Sequence, residues 1–297
     1  MRPPYLQPGQ KVAIVAPARS INEAEIKMAV SIFESWGLQV VLGKNLFNTH
    51  YQFAGTDEER AGDFQQMLDE PEIRAIICAR GGYGTTRIVD QLDFTEFLKY
   101  PKWIVGFSDV TVLHCHLHNL KVETIHGVMP LLFPKQTEVS IESLKQALFG
   151  QPLKISSVLS VMNKLGNAEG VVVGGNLTLF ANAIGTPSEI NTDGKILFLE
   201  EVNEYLYHID RMMVQLKRAK KLDNLAGLII GHFSGVKDND AFFGQTVYEI
   251  VNDLTRNLRY PVCYNFPVGH EKHNMTVICN RLARLQVTEK RVEMQFQ

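Results

Sequence analysis

The first half of the chain alternates short apolar runs with segments of helical periodicity, and this alternation restricts the fold more than any other feature. Apolar side chains recur at helical spacing between residues 22 and 36, and Thr56 with Glu59 forms a capping-box pattern that opens a second helix. The predicted strands lie at 11–16, 38–42, 73–79 and 103–107. Strands that alternate with helices imply right-handed crossovers, so residues 1–150 are predicted to form a mostly parallel α/β sheet covered on both faces.

The regularity breaks between residues 134 and 166, and we assign a linker to residues 151–170. The rest of the chain, 171–297, is predicted to be a second domain of mixed α/β structure. Its predicted strands lie at 194–200 and 225–231, its helix at 204–220, and short β-type runs near 276–278, 282–287 and 292–296.

Composition and charge exclude several classes of protein. The net charge is −2 and the sequence has no long run of one sign, which argues against a dedicated nucleic-acid or membrane-surface binder. The N-terminus lacks the apolar region of a signal peptide, and no stretch approaches the ~18 apolar residues of a membrane span. The four cysteines form no C-x-x-C pair, so we expect reduced thiols and a soluble cytoplasmic protein.

Ser108 follows the predicted strand 103–107 and precedes a helical stretch that reaches about residue 120. A serine in such a turn resembles a nucleophile elbow, in which the tight turn exposes Oγ and the next backbone N–H faces a developing oxyanion. Val110 stands where the common G-x-S-x-G motif has its last glycine, so the motif is only half matched. Helix capping by Ser108 is the alternative interpretation.

Two other strand ends carry candidate groups, because ligands of parallel α/β sheets bind beyond the carboxyl ends of strands. The strand 73–79 leads into a glycine-rich loop at 80–84, whose backbone N–H groups suit an anion or an oxyanion; a plain turn is the alternative. The apolar core of the other strand, 196–199, is followed directly by Glu200 and Glu201. Side chains alternate across a strand, so only one of these two carboxylates can face a given site.

The histidines suggest a base more readily than a metal centre. His114 and His118 share a helix face, but there is no H-E-x-x-H motif and no third ligand, so we predict no metal. His270 lies in a segment bent by Pro267 and Gly269, which suits an imidazole held on a rigid loop, and His232 is a second candidate base.

Taken together, these segments resemble the LD-carboxypeptidases, serine peptidases that include muramoyltetrapeptide carboxypeptidase and the microcin C self-immunity protein. The resemblance spans most of the chain and is specific because the segments occur in the family's order. The matching segments are FAGTDEER at 53–60, RGGYG at 80–84, GFSD at 106–109, GGNL at 174–177, IGTP at 184–187, FLEE at 198–201, IDRM at 209–212 and VGH at 268–270.

The resemblance implies a catalytic triad with Ser108 as nucleophile, His270 as base and Glu200, rather than Glu201, as the acid. It also implies that the backbone N–H groups of Gly82 and Asp109 form the oxyanion hole. A Rossmann-like N-terminal domain, a smaller β-rich C-terminal domain, a site between them and a homodimer follow from the same resemblance, with no metal or organic cofactor.

The implied reaction is release of the terminal D-alanine from murein tetrapeptide through an acyl-enzyme, in cell-wall recycling. An exopeptidase must bind a free carboxylate, and Arg80 is the nearest guanidinium in sequence, although it can equally anchor its loop through an ion pair. We also assign Asn176, in the GGNL segment, to substrate binding.

Two other functions remain open at this point. One is hydrolysis of an aminoacyl-nucleotide antibiotic, as in the immunity branch of the family. That branch carries a longer aromatic-bearing loop before the acid, whereas the segment between Asn176 and Glu200 has no tryptophan, so we favour the murein peptide. The other is a non-catalytic binding protein with a ligand cleft at the sheet edge.

Overall fold

The computed structural model describes residues 1–297 and contains thirteen strands and eight α-helices. The strands are β1 (Lys11–Val15), β2 (Gln39–Leu42), β3 (Ile73–Cys78), β4 (Trp103–Gly106), β5 (Thr124–His126), β6 (Lys154–Ser157), β7 (Gly166–Asn176), β8 (Ile196–Val202), β9 (Gly227–Ser234), β10 (Val262–Cys263), β11 (Val277–Cys279), β12 (Leu282–Val287) and β13 (Val292–Phe296). The helices are α1 (Glu23–Ser35), α2 (Asp57–Asp69), α3 (Thr95–Lys99), α4 (Thr111–Asn119), α5 (Glu138–Phe149), α6 (Leu177–Asn182), α7 (Leu206–Arg218) and α8 (Val247–Thr255).

The first two long helices begin where capping groups satisfy their free backbone N–H groups. Thr56 accepts a hydrogen bond from the N–H of Glu59, and the Glu59 carboxylate accepts one from the N–H of Thr56, as the sequence pattern predicted. Asn22 and Glu25 make the same reciprocal pair at the start of α1. Such caps each stabilise a helix by about 1 kcal/mol.

The first sheet has the strand order β2-β1-β3-β4-β5-β11. Strands β1 to β5 pair in parallel, and β11 pairs antiparallel with β5. Val12 and Ile14 pack in one apolar layer while Ala13 and Val15 pack in the opposite one, so helices cover both faces. The predicted, mostly parallel sheet is therefore confirmed. The strand order reverses between β1 and β3, where folds of this kind open a crevice at the carboxyl ends.

The second sheet has the order β10-β9-β8-β7-β12-β13-β6 and is mixed. Strands β7 to β10 run parallel, and β12, β13 and β6 extend the sheet by antiparallel pairing. On β8, Leu197 and Leu199 pack toward one core while Ile196 and Phe198 pack toward the other. This sheet is the predicted second, β-rich half of the fold.

Three segments depart from the predicted organisation, and one of them is β7, whose residues 166–170 lie inside the predicted linker. Lys154–Ser157, inside the predicted linker 151–170, is an edge strand, which its polar sequence did not indicate. Val277–Cys279, from the predicted second domain, is the edge strand of the first sheet, where it pairs with backbone groups of β5 that would otherwise lack partners.

Buried polar contacts join the two sheets. Arg281, between β11 of the first sheet and β12 of the second, accepts a backbone hydrogen bond from Val172 of β7 and donates to Glu123, just before β5, at 2.9 Å from Nε to Oε2; Arg281 and Glu123 are both buried. Thr111, at the start of α4, accepts a hydrogen bond from the backbone N–H of Asn176 at 3.0 Å. These contacts fix the edge of one sheet against the other.

None of the helices combines the length and apolarity needed to cross a bilayer.

Candidate active site

Ser108 lies in the tight turn that connects β4 to α4. Its φ is +63°, in the left-handed region, where a side chain with a Cβ costs about 1–2 kcal/mol. The residue is partly exposed and faces a cavity of about 470 Å³. A strained serine raised above a strand–helix turn is the geometry of a nucleophile elbow, and the structure retains it although Val110 replaces the last glycine of the motif.

Glu200 and Glu201 point to opposite sides of β8. Glu200 is fully buried, and its Oε2 lies 2.7 Å from His270 Nδ1. Glu201 accepts hydrogen bonds from the Asn176 amide at 2.8 Å and from the backbone N–H and hydroxyl of Thr178 at 2.8 and 2.7 Å. The fold thereby answers the question that strand alternation left open, because only one of the two carboxylates faces an imidazole.

His270 lies on a loop whose turn requires glycine at position 269. Gly269 has φ +129°, and a Cβ at that position would lie 3.2 Å from both Cβ and Oε2 of Glu200. The Gly269 N–H donates to Asn274 Oδ1 at 3.0 Å, and the His270 ring contacts that of Phe107 with centroids 4.9 Å apart. Glycine is therefore needed here for both the turn and the close approach to Glu200.

The charges around His270 favour protonation of its imidazole. Burial by itself lowers the pKa of His270, but the charge of Glu200 and its hydrogen bond raise that pKa by more, so the net shift is upward. Oε2 of Glu200 fixes Nδ1 as the hydrogen-bonded nitrogen, which leaves Nε2 free. Oε1 of Glu200 has no hydrogen-bond partner in the protein.

Ser108 and His270 line the same cavity, although no hydrogen bond joins Ser108 Oγ to the imidazole. Hydrogen bonds between catalytic groups are often long without substrate and tighten in the substrate complex. Ser108 comes from the first sheet, whereas Glu200 and His270 come from elements of the second. The three side chains of the predicted triad therefore converge at the boundary between the two sheets.

The glycine loop after β3 lies against Ser108. A Cβ at Gly81 would be 3.2 Å from Ser108 Cβ and 3.3 Å from the Asp109 nitrogen, so the loop backbone passes directly beside both residues. Gly82 follows with φ +115°, a conformation that favours glycine. Gly82, like Ser108, lines the cavity.

Buried charges of opposite sign hold this loop through the peptide unit between Gly84 and Thr85. The Gly84 carbonyl accepts from Arg60 Nη1 at 3.0 Å, and the Thr85 N–H donates to Asp109 Oδ2 at 2.8 Å. Arg60 and Asp109 are 2% and 1% exposed. Burial raises the pKa of Asp109. The side chain next to the candidate nucleophile thus anchors the loop that carries the second predicted oxyanion donor.

The two residues assigned to substrate binding have different surroundings. Arg80 lines the cavity; its Nη1 donates to the Ser20 carbonyl at 2.9 Å, and it forms no ion pair. Asn176 is buried, caps α6 by accepting from the Leu179 N–H, and donates to Glu201. The Asn176 side chain is therefore occupied within the protein and does not line the cavity, so the structure does not support the predicted role of Asn176 in substrate binding.

Arg19, which was not among the predicted site residues, lines the cavity as well. It lies in the loop after β1, so the rule that was applied to the ends of the other strands would have identified it.

The remaining histidines do not form a metal centre. His114 lies 2.8 Å from both Thr124 Oγ1 and the Gly106 carbonyl oxygen, and burial lowers its pKa to about 4. Burial likewise lowers the pKa of His118 to about 4 and that of His232 below its usual value. No group of three or more His, Cys, Asp or Glu side chains is arranged to hold a metal ion. The four cysteines are buried and unpaired.

The chain is similar in sequence and in fold to several known proteins. Two family models match: the LD-carboxypeptidase N-terminal domain over residues 12–127 and the LD-carboxypeptidase C-terminal domain over residues 169–285. The probable murein peptide carboxypeptidase of Bacillus subtilis is 35% identical over 300 residues, which cover 97% of this chain and 92% of that protein. The microcin C7 self-immunity protein of Escherichia coli is 26% identical, covering 88% of this chain and 85% of that protein. The crystal structure of muramoyltetrapeptide carboxypeptidase from Oxalobacter formigenes is similar with a TM-score of 0.88 and 28% identity, covering 97% and 98% of the two chains.

Proposed function

This chain belongs to the LD-carboxypeptidase family, and on that premise we propose that it releases the terminal D-alanine from murein tetrapeptide by a Ser108–His270–Glu200 triad. The chain is a peptidase. The names of the relatives support the murein peptide as substrate and the LD-carboxypeptidase activity. A cytoplasmic location, a role in cell-wall recycling and a homodimeric assembly belong to the same proposal, and cell fractionation and light scattering of the purified protein test the location and the assembly.

The observation that carries the triad is the hydrogen-bonded pair of His270 and fully buried Glu200 beside a strained serine. His270 lines the same cavity as Ser108. Its free ring nitrogen, Nε2, is the atom that a general base must use. Burying a carboxylate whose only hydrogen-bond partner is an imidazole costs free energy, and a positive charge on that imidazole offsets the cost. A carboxylate in this position is typical of the acid of a triad, which stabilises the imidazolium that forms during the reaction.

In the acylation step, Ser108 Oγ attacks the carbonyl carbon that precedes the terminal D-amino acid, and His270 Nε2 takes the hydroxyl proton. The resulting oxyanion accepts hydrogen bonds from the backbone N–H groups of Gly82 and Asp109, each contributing about 3 kcal/mol in sites of this kind. The C–N bond then breaks as His270 returns its proton to the leaving amine. D-Alanine departs, and an ester links the shortened peptide to Ser108.

Deacylation repeats the sequence with water as nucleophile. His270 takes a proton from water, hydroxide attacks the ester carbon, and the same two N–H groups bind the oxyanion. The proton then returns to Ser108 Oγ as the ester bond breaks, which releases the tripeptide acid. Glu200 keeps the proton-bearing Nδ1 directed inward throughout, so Nε2 faces the reaction at both stages.

Mass spectrometry of purified muropeptides tests the proposal. Wild-type protein is expected to convert tetrapeptide to tripeptide with loss of one alanine and to leave the tripeptide unchanged. Ser108→Ala is expected to be inactive, whereas Ser35→Ala, an exposed serine at the end of α1, retains full activity as the matched control. A tetrapeptide that survives incubation with wild-type protein, or an active Ser108→Ala, would contradict the proposal.

The relationship to the self-immunity protein gives a second candidate substrate, an aminoacyl-nucleotide antibiotic. Assaying this substrate beside the tetrapeptide separates the two, and we expect the larger kcat/KM for the tetrapeptide. A serine-directed fluorophosphonate separates either hydrolase from a binding protein: labelling of Ser108 that disappears in His270→Ala indicates an enzyme, and absence of labelling in both favours a binder.

A further inference from the structure

We infer that Arg19 and Arg80 together form the binding site for the free C-terminal carboxylate of the peptide substrate, and that this pair makes the protein an exopeptidase. The inference rests on the proposed function and extends it to the group that the enzyme must recognise. Arg19 follows β1 and Arg80 follows β3, so the two guanidinium groups come from the carboxyl ends of neighbouring strands.

Their place in the fold is where a ligand is expected. The order of the first sheet reverses between β1 and β3, and ligands of such sheets bind in the crevice outside the carboxyl ends at that reversal. Strand β4, which carries Ser108, lies directly beside β3. The sheet therefore places the two arginines next to the candidate nucleophile.

The charge of the cavity is unbalanced. Arg19, Arg80 and His270 are the only basic residues that line it, and no aspartate or glutamate lines it. Buried arginines elsewhere in the protein have carboxylate partners: Arg60 pairs with Asp57, and Arg281 pairs with Glu123. Neither half-buried Arg80 nor exposed Arg19 forms an ion pair, so both guanidinium groups can bind an anionic ligand in the cavity.

The positioning of the two side chains favours a short carboxylate ligand. Arg80 is half-buried and held by its hydrogen bond to the Ser20 carbonyl, while its buried Nε has no partner. The Arg19 stem packs on Gly82, since a Cβ there would lie 2.6 Å from Arg19 Cδ. One guanidinium is thus anchored beside the cavity, and the other lies directly over a proposed oxyanion donor.

Distance along the substrate agrees with this arrangement. In a C-terminal residue the carboxylate carbon is only two covalent bonds from the nitrogen of the scissile bond, so its receptor must lie within a few ångström of the oxyanion hole. Within the cavity, Arg19 and Arg80 are the groups with the fixed charge and the forked N–H geometry that match a carboxylate. An internal peptide bond or an amidated terminus offers them no charge and is excluded for that reason.

Paired substrates test the inference. Tetrapeptide with a free C-terminus and the same peptide with a C-terminal amide are assayed with wild type, Arg19→Ala, Arg80→Ala and the double variant. Wild type is expected to prefer the free acid by about 100-fold or more in kcat/KM. Each single variant is expected to lose about 10- to 100-fold on the acid, with little change on the amide, and the double variant to lose the preference. Arg284→Ala, a surface arginine on β12 paired with Glu169, is the matched control and retains the preference.

Calorimetry on a Ser108→Ala background gives a readout independent of turnover. The acid is expected to bind more tightly than the amide, and the Arg19→Ala and Arg80→Ala substitutions are expected to remove the difference. Equal losses on acid and amide, or a preference that persists in the double variant, would overturn the inference. If wild type hydrolyses no murein peptide, the proposed function fails, and the binding comparison still decides whether this pair recognises a carboxylate.

Discussion

Replacing Glu200 by glutamine removes one buried charge at nearly constant volume, and the structure allows its effect on catalysis to be worked out. Glu200 Oε2 accepts from His270 Nδ1 at 2.7 Å, and Oε1 has no partner. The amide of a glutamine has one donor and one acceptor end, and one of them must take the orphan position. A buried N–H without an acceptor is costlier than an under-satisfied carbonyl, by an amount of order 1–3 kcal/mol.

The amide is therefore expected to turn its NH₂ group toward Nδ1 of His270. Nδ1 must then accept, so the ring proton moves to Nε2 and the nitrogen facing Ser108 can no longer act as a base. Loss of the negative charge removes about 2 kcal/mol or more of stabilisation from the imidazolium. With the tautomer penalty, the barrier rises by about 4–5 kcal/mol, so kcat is expected to fall by about 10³-fold or more.

The pH dependence gives a second readout with a definite sign. The base must be neutral, so kcat/KM rises with pH through the pKa of His270 in the free enzyme. In the wild type, burial lowers this pKa, but Glu200 raises it by more and brings it above its usual value of 6.5. In Glu200→Gln the burial remains and the charge is gone, so the residual activity is expected to have its acid limb at lower pH than the wild type.

Release of D-alanine from tetrapeptide, measured from pH 4 to 9, provides both readouts. Glu201→Gln is the matched control, because it also removes a buried charge one residue away. It is expected to keep most of kcat but to lower the free energy of unfolding, since its NH₂ group would face the donors of Asn176 and Thr178. A Glu200→Gln enzyme with more than a tenth of wild-type kcat, or with an unmoved acid limb, would refute this reasoning.

Three further substitutions have expected outcomes. In urea denaturation, Ser108→Gly should have a free energy of unfolding about 0.5–1 kcal/mol higher than that of Ser108→Ala, because only glycine relieves the φ of +63°; equal free energies would argue against strain at this turn. Gly82→Ala should slow fluorophosphonate labelling by about 100-fold, because alanine is strained at the φ of +115° and the loop must shift its oxyanion donor to relieve that strain, whereas unchanged labelling would exclude Gly82 from the oxyanion hole. Asp109→Ala should lower kcat by about 10-fold or more through loss of the Thr85 hydrogen bond, with Asp109→Asn largely restoring it; equal defects in the two would remove the anchoring role.

The parts of this protein that local sequence determined are those governed by side-chain periodicity and caps. The predicted strands at 282–287 and 292–296 coincide with β12 and β13, and α2 begins at the predicted capping box. The strands follow from alternation of apolar and polar side chains, and the helix start follows from the capping box. Both patterns involve only a few neighbouring residues, so they can be recognised in the sequence alone.

Strand β7 is an element that its local sequence did not predict. Its sequence has four glycines, which weaken any strand prediction, yet it lies in the middle of the second sheet between β8 and β12. A Cβ at Gly174 would lie 1.9 Å from the Phe198 carbonyl oxygen, so the neighbouring strand requires glycine at this point. The same residue that obscures the strand in the sequence permits the pairing in the fold.

The candidate site depended on both levels. Family resemblance selected Ser108, Glu200 and His270, but the pattern of β8 treated Glu200 and Glu201 alike. The tertiary structure distinguishes them, because a loop 70 residues further along the chain brings His270 to one face of β8 only. The tertiary structure also brings Arg19, after β1, into one cavity with Arg80, after β3, and Ser108, after β4. Contacts between residues so far apart in sequence arise from packing of whole sheets, for which local periodicity contains no information.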